Sequence, residues 1–302
     1  MKIIKRLFQQ QQGSTLLLFS LALVGMLMIT GLALDGGMLY ERRAALQKAA
    51  DAAVLSGAQE LTDTPSDVQQ VVERILVAHG NENDVEHLDI VMNDQVSIVL
   101  KKTVPLSFMS IFGIDTGTVS ANATAEIGTM GRAAGAAPLG IDDSVDLIYN
   151  KVYELKVDQT LEDTGNFGVL SLGGGGADRY YDNLRYGFDG ELRVGDIVET
   201  ETGNIAGKTK QAVQELIDAC PDGNYEDRDC PRVILIPVYE RYQVDQNQLK
   251  TVKITGFAYF YITEPLDSQR KTIHGIFIRR TGTGYINSQG SNRGAYAIRL
   301  TE

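Results

Sequence analysis

The chain has 302 residues, 43% of them hydrophobic and 22% charged; this is the composition of folded protein, long enough for two ordinary domains. A net charge of -11 withholds the broad basic face that nucleic-acid phosphates require. Three histidines and two cysteines leave little material for a metal centre.

Residues 1–13 form a short basic start, with Lys2, Lys5 and Arg6 and no acid. From Leu7 to Leu34 there is no charged residue, and the 21 positions Ser14–Leu34 are almost wholly apolar. As a helix they rise about 31 Å, the thickness of a hydrocarbon core. A cleaved signal peptide would end in a small-residue site and a change of character. Here Asp35 is followed directly by the alanine-rich GGMLYERRAALQKAADAAVLSGAQEL. The expectation is a retained single-pass anchor in the cell membrane. Positive flanks stay inside, so residues 1–13 are expected in the cytoplasm and the bulk of the chain outside.

Beyond the span the helix is expected to continue through residues 35–64, making a rod of about 45 residues and about 70 Å. Leu39, Leu46, Ala50, Ala53, Val54 and Leu61 recur at spacings of three, four and seven and form one apolar stripe,. That face must pack on a partner or on the protein's own domains. Pro65 marks the break,.

This stretch carries a resemblance. Gly13 before the apolar run, Leu32-Ala33-Leu34-Asp35, Gly37, Tyr40 and Leu46-Gln47-Lys48-Ala49-Ala50-Asp51-Ala52-Ala53 are similar to the N-terminal segment of TadG-like proteins. These belong to the TadE/TadG family of the tight-adherence (Flp, type IVc) pilus assembly system. Type IV prepilins are cut after a glycine with Glu five residues on; Leu18 stands there, so the unprocessed, anchored members fit better. The resemblance implies a non-catalytic component acting through protein contacts, with other pilus assembly proteins and pilin as partners. No cofactor and no nucleotide is expected.

Residues 65–127 read as a small α+β unit. Ser66 is placed to cap a helix ending at Gly80, and HLDIVM and QVSIVLKKTV alternate as paired strands around Asn93-Asp94,. PLSFMSIFGID gives a short helix and TVSANATAEIG a third strand. Ser-Phe-Met-Ser-Ile-Phe-Gly before an Ala-rich strand is also similar to the TadE/TadG group.

Residues 128–138, GTMGRAAGAAP, lack either period and read as a linker,. Residues 139–302 are β-rich: seven segments with β-branched and aromatic residues, and one clear helix, Lys208 to Ala219,. The fold class expected is therefore α+β, with a long N-terminal helix, a small α+β unit and a barrel- or sandwich-like C-terminal domain. GNFGVLSLGGGG, YYDNLRYGF and TETGNIAGKT resemble the C-terminal region of TadG-like proteins of Gram-positive bacteria.

Four motifs in this region invite chemistry. GNIAGKT spells a phosphate loop, but Gly203 stands only four places before Gly207 and the Walker position is Thr202,. The loop is one residue short and lies on the outer side, so Lys208 and Thr209 are expected to open a helix. Gly173–Gly176 is expected to be a turn. IDDSVD, residues 141–146, lacks the apolar strand and second serine of a von Willebrand A metal site, Asp146 standing in the serine's place. PDGNYEDRD has calcium-loop spacing at Asp222, Asn224 and Glu226, but Asp227 replaces the needed glycine,.

Cys220 and Cys230 flank that last turn. Two cysteines near one another in an oxidising compartment favour a disulfide. His79, His87 and His274 offer no recognisable serine triad or metal set. A membrane-anchored hydrolase carried by the C-terminal domain is the alternative class, and no catalytic or metal-binding residue is assigned.

Overall fold

In a computed structural model the described residues are 11–157, 167–201, 205–245, 248–287 and 289–301. The chain opens with helix α1 (Gln11–Gly57), 47 residues without a break and about 70 Å long. From Leu16 to Leu34 its large apolar side chains face outward; beyond Asp35 one side becomes buried. A 3-10 turn, Ala58–Glu60, leads to helix α2 (Pro65–His79).

The cap of α2 is Thr64 and not Ser66. Thr64 is extended, at φ -128° and ψ 156°, and its side chain accepts the Asp67 amide. Pro65 fills the first helical position, where its missing N–H costs nothing and its fixed φ suits the turn. Gly80 ends the helix at φ 66°, left-handed as expected.

The strands follow in chain order. They begin with β1 (Val85–Val91), β2 (Gln95–Pro105), β3 (Thr116–Ala133), β4 (Leu139–Asp142), β5 (Val152–Lys156) and β6 (Phe167–Val169). Helix α3 (Ala177–Tyr186), β7 (Leu192–Arg193), β8 (Ile197–Glu199) and helix α4 (Ala206–Asp218) come next. Then come β9 (Val233–Asp245), β10 (Gln248–Ile262), β11 (Thr272–Ile278) and β12 (Arg280–Gly282). Last are β13 (Tyr285–Ile286), β14 (Ser291–Asn292) and β15 (Ala295–Thr301).

The first sheet runs β1-β2-β3-β15-β12, with β7 and β13 also on β3. Asn93 turns β1 into β2 at φ 61°, a left-handed position that asparagine tolerates. Val96, Ile98 and Leu100 of β2 and Ala121, Ala123 and Ala125 of β3 are buried at alternate positions, as a one-sided sheet requires. α1 and α2 lie on that buried face and share its core.

The second sheet runs β5-β11-β10-β9-β4-β6, with β8 and β14 on β10. α3 and α4 cover it: Tyr180, Leu184, Val213 and Leu216 join Ile236, Val238, Phe260 and Phe277 in one core. The architecture is α+β with a β-rich C-terminal region. α3 is a second helix where one was expected; its only strong signal is Tyr180 and Leu184, four residues apart on one face.

Residues 128–133 are strand and not linker. β3 continues through Ala133, and β15 pairs along it from Tyr296↔Thr129 to Thr301↔Thr124. Close packing dictates the small residues there. A Cβ added at Gly128 would lie 2.7 Å from Ile286, and one at Gly131 would lie 2.0 Å from Asn287. The last strand of the chain therefore completes the sheet on which the first helix lies.

Candidate functional site

The joint between α1 and the folded head is held at three levels, by Asp35, by the apolar stripe and by Arg228. At the lower end stands Asp35, directly after the apolar run and almost fully buried. Its carboxylate accepts three backbone amides: Ser107 N at 3.1 Å, Phe108 N at 2.9 Å and Met109 N at 2.8 Å. These amides open the 3-10 turn Met109–Phe112. Burial raises the Asp35 carboxyl, and the amides of Met109, Ser107 and Phe108 outweigh it, leaving the group below the usual carboxylate range,. One turn earlier, Gly31 lets the Phe108 ring lie on the helix: an added Cβ would meet that ring at 2.5 Å.

Along the middle, the stripe lies on the protein's own sheet and on α2. Leu46, Ala50, Ala53, Val54 and Leu61 are buried to 1% exposure or less, and Leu39 is partly buried against the same core. Alanines face alanines here, Ala49, Ala50 and Ala53 of α1 in one core with Ala121, Ala123 and Ala125 of β3. The short side chains let helix and strand approach closely. Gln47 donates to the Asn122 carbonyl at 2.8 Å, beside the seam.

At the upper end a guanidinium fastens α1 to the C-terminal region. Arg228 Nε donates to Glu60 at 3.0 Å, Nη2 donates to the Gln59 carbonyl, and Nη1 donates to the Thr281 carbonyl at 3.1 Å. Thr281 Oγ1 donates to the Gln59 carbonyl as well, at 2.6 Å. Burial raises the Glu60 carboxyl, but Arg228 draws it below its ordinary value. Burial and the neighbouring Glu60 push Asp63 up to about 6, against the pull of Arg228.

Arg228 is carried by the loop that the disulfide Cys220–Cys230 closes, with Cα atoms 5.5 Å apart. A cleft of about 450 Å³ lies beside this clasp, lined by Gln59, Arg228, Tyr259, Arg280 and Thr283. Arg280 is engaged with the carbonyls of Tyr225, at 2.8 Å, and Asp227.

Apart from the acidic turn that carries Arg228, the motifs flagged in the sequence lie away from this joint, with several of their polar groups engaged within the fold. Lys208 pairs with Asp178 at 2.7 Å. Thr209 is fully buried, its hydroxyl bonded to the Ile205 carbonyl and the Tyr180 hydroxyl, both at 3.0 Å. Thr202, Gly203 and Asn204 of the GNIAGKT stretch lie outside the described residues. Asp142 accepts from Ser144 and Arg241, at 2.9 Å for the latter, and Asp143 from Arg293. Asp146 takes part through its carbonyl, bonded to Tyr153.

In the acidic turn, Asn224 caps the Glu226 amide and Asp227 the Asp229 amide, both at 3.0 Å. Gly173–Gly176 forms the turn into α3, with Gly173, Gly174 and Gly176 all at positive φ. His79 ends α2, His87 lies on β1 and His274 on β11. No group of His, Cys, Asp and Glu able to hold a metal occurs among the described residues.

Sequence reasoning missed the two ends of the joint. In the sequence Asp35 marks only the end of the span, and Arg228 stands within an acidic turn. Its partner Glu60 is 168 positions away, beyond any local periodicity. An aspartate set directly against an apolar run is the one signal that was available.

Residues 13–60 match the Tad family model, Flp pilus-assembly TadE/G-like. No curated protein and no solved structure matches the chain. The matched residues are those of α1 and the 3-10 turn after it, which span the joint from below Asp35 to Glu60.

Proposed function

We propose that this chain is a single-pass, membrane-anchored component of a Flp pilus assembly apparatus, and that it works by protein contacts without catalysis. The observation that carries the reading is the continuity of α1. One helix, apolar enough over its first half to cross a membrane, becomes the core helix of the folded head without a break. The Tad match covers that same helix. A rigid joint of this kind transmits position and force between bilayer and head, which suits an assembly component.

In this reading residues 14–34 cross the cell membrane, residues 1–13 lie in the cytoplasm, and the head is outside. The helix beyond Asp35 is the core helix of the head, whose first sheet is built from β1–β3 together with β7, β12, β13 and β15 from the C-terminal stretch. The partners are other pilus assembly proteins and pilin. Because the stripe Leu39–Leu61 is spent inside the chain, contacts to partners fall to the head's outer surfaces.

The test is co-isolation. Tagged full-length chain from pilus-producing cells, solubilised in mild detergent, should bring down pilus assembly proteins. Leu46→Glu, which buries a charge in the joint, should lose them, while Lys208→Ala should keep them. A chain that emerges with none of the pilus components would refute the reading.

A further inference from the structure

We propose that the connection between β2 and β3, residues 107–114, is a second membrane contact that dips into the outer leaflet beside α1. The inference rests on the proposed anchor, because it takes residues 14–34 to cross the bilayer.

The position comes first. Asp35 binds the amides of Ser107, Phe108 and Met109, which sets this turn level with the end of the apolar run. Phe108 lies on Gly31, four residues back from Asp35 within the span, or about 6 Å deeper along the axis. Interfacial apolar groups sit about 5–10 Å into the headgroup and acyl boundary. The turn therefore lies at that depth wherever the helix crosses.

The chemistry agrees with the position. Leu106 to Ile114 contains no charged residue, and its large side chains face outward: Phe108 is 39%, Ile111 77%, Phe112 60% and Ile114 46% exposed. So dense an apolar patch marks an interaction surface, and here it continues the lipid-facing surface of α1.

The backbone is also suited to an environment poor in water, where an unsatisfied amide is costly. Besides the three amides on Asp35, Leu106 N donates to the Asp115 carbonyl at 2.9 Å and Ile111 N to Phe108 at 3.2 Å. Gly113 N donates to Ser110 at 3.0 Å and Ile114 N to Met109 at 3.2 Å. The Ser110 hydroxyl donates to the Ser107 carbonyl at 2.8 Å. Asp35 thus pins the head to the helix and satisfies the backbone of a turn immersed in the interface. Two points of contact, helix and turn, would fix the tilt of the head on the membrane.

The chain has no tryptophan, so a single introduced indole reports its own surroundings. Full-length I111W, L23W and Y242W would each be reconstituted in phosphatidylcholine–phosphatidylglycerol vesicles. Parallel samples would carry lipids brominated at shallow or deep acyl positions. L23W, in the span, should be quenched by deep bromines. Y242W, on the distant head, should be quenched by acrylamide alone. The expectation for I111W is a blue-shifted emission, loss of intensity with shallow bromines and protection from acrylamide.

If I111W behaves like Y242W while L23W is quenched, the turn is not in the membrane and the inference falls, with the anchor untouched. If I111W is shielded from acrylamide but ignores brominated lipid, protein covers the turn, and the inference falls as well. If L23W itself ignores the bromines, the anchor reading fails first.

Discussion

Replacing Leu46 by alanine removes the branched end of a side chain that is 1% exposed, in the middle of the seam between α1 and the first sheet. The neighbours in the seam, Ala49, Ala50 and Ala53, are too short to refill the space. β3 is held by β2 on one edge and β15 on the other, so the sheet cannot collapse inward. Leucine-to-alanine changes in closed cores cost 2–5 kcal/mol, rising with the cavity left; a site that cannot relax belongs near about 4 kcal/mol.

The control is the same chemical change at Leu34, twelve residues earlier on the same helix and 57% exposed, where the cost should stay within about 0.5 kcal/mol. Urea unfolding of the full chain in non-ionic micelles, followed by near-ultraviolet tyrosine dichroism, separates the two. A Leu46→Ala midpoint equal to that of Leu34→Ala would refute the claim that this stripe is the core of the head.

Breaking the disulfide by Cys220→Ser with Cys230→Ser frees a loop with a sequence separation of 10, and chain entropy puts the loss at about 3 kcal/mol. In native protein without reductant neither thiol should alkylate; labelling of both would contradict the bridge. Asp63 titrates at about 6 in the fold against 3.8 unfolded, so the folded state holds its proton more tightly. That contribution is complete below pH 3.8 and is lost as pH rises through about 6. Asp63→Asn should accordingly stabilise the protein above pH 6 and give no gain below pH 4; equal gains at both would rule out the titration. Calorimetry should find no ATP binding to the full chain, with or without Lys208→Ala, because Lys208 is held by Asp178 and Thr209 is sealed in the core. Saturable binding abolished by Lys208→Ala would reverse this.

What was legible in the sequence followed from local periodicity and composition. The charge-free run to Leu34, the stripe from Leu46 to Leu61 and the alternation of Val96, Ile98 and Leu100 each report a single element and the face it buries. The pairing of Cys220 with Cys230 followed from compartment and count. What was not legible depends on contacts between distant residues. Asp35 reaches the amides of Ser107–Met109 across more than 70 positions, and Arg228 reaches Glu60 across 168. Neither leaves a periodic trace. Gly128 and Gly131 misled for a physical reason: glycine signals both flexibility and close approach, and only the position of Ile286 and Asn287 shows which applies.

Pilus counts test the central claim most directly. Cells lacking this gene would be complemented with the full chain or with a chain lacking residues 14–34 but exported by another signal, and surface pili counted by electron microscopy. The account predicts bald cells without the gene, normal numbers with the full chain and bald cells again with the untethered head. Normal piliation in the deletion strain would contradict it.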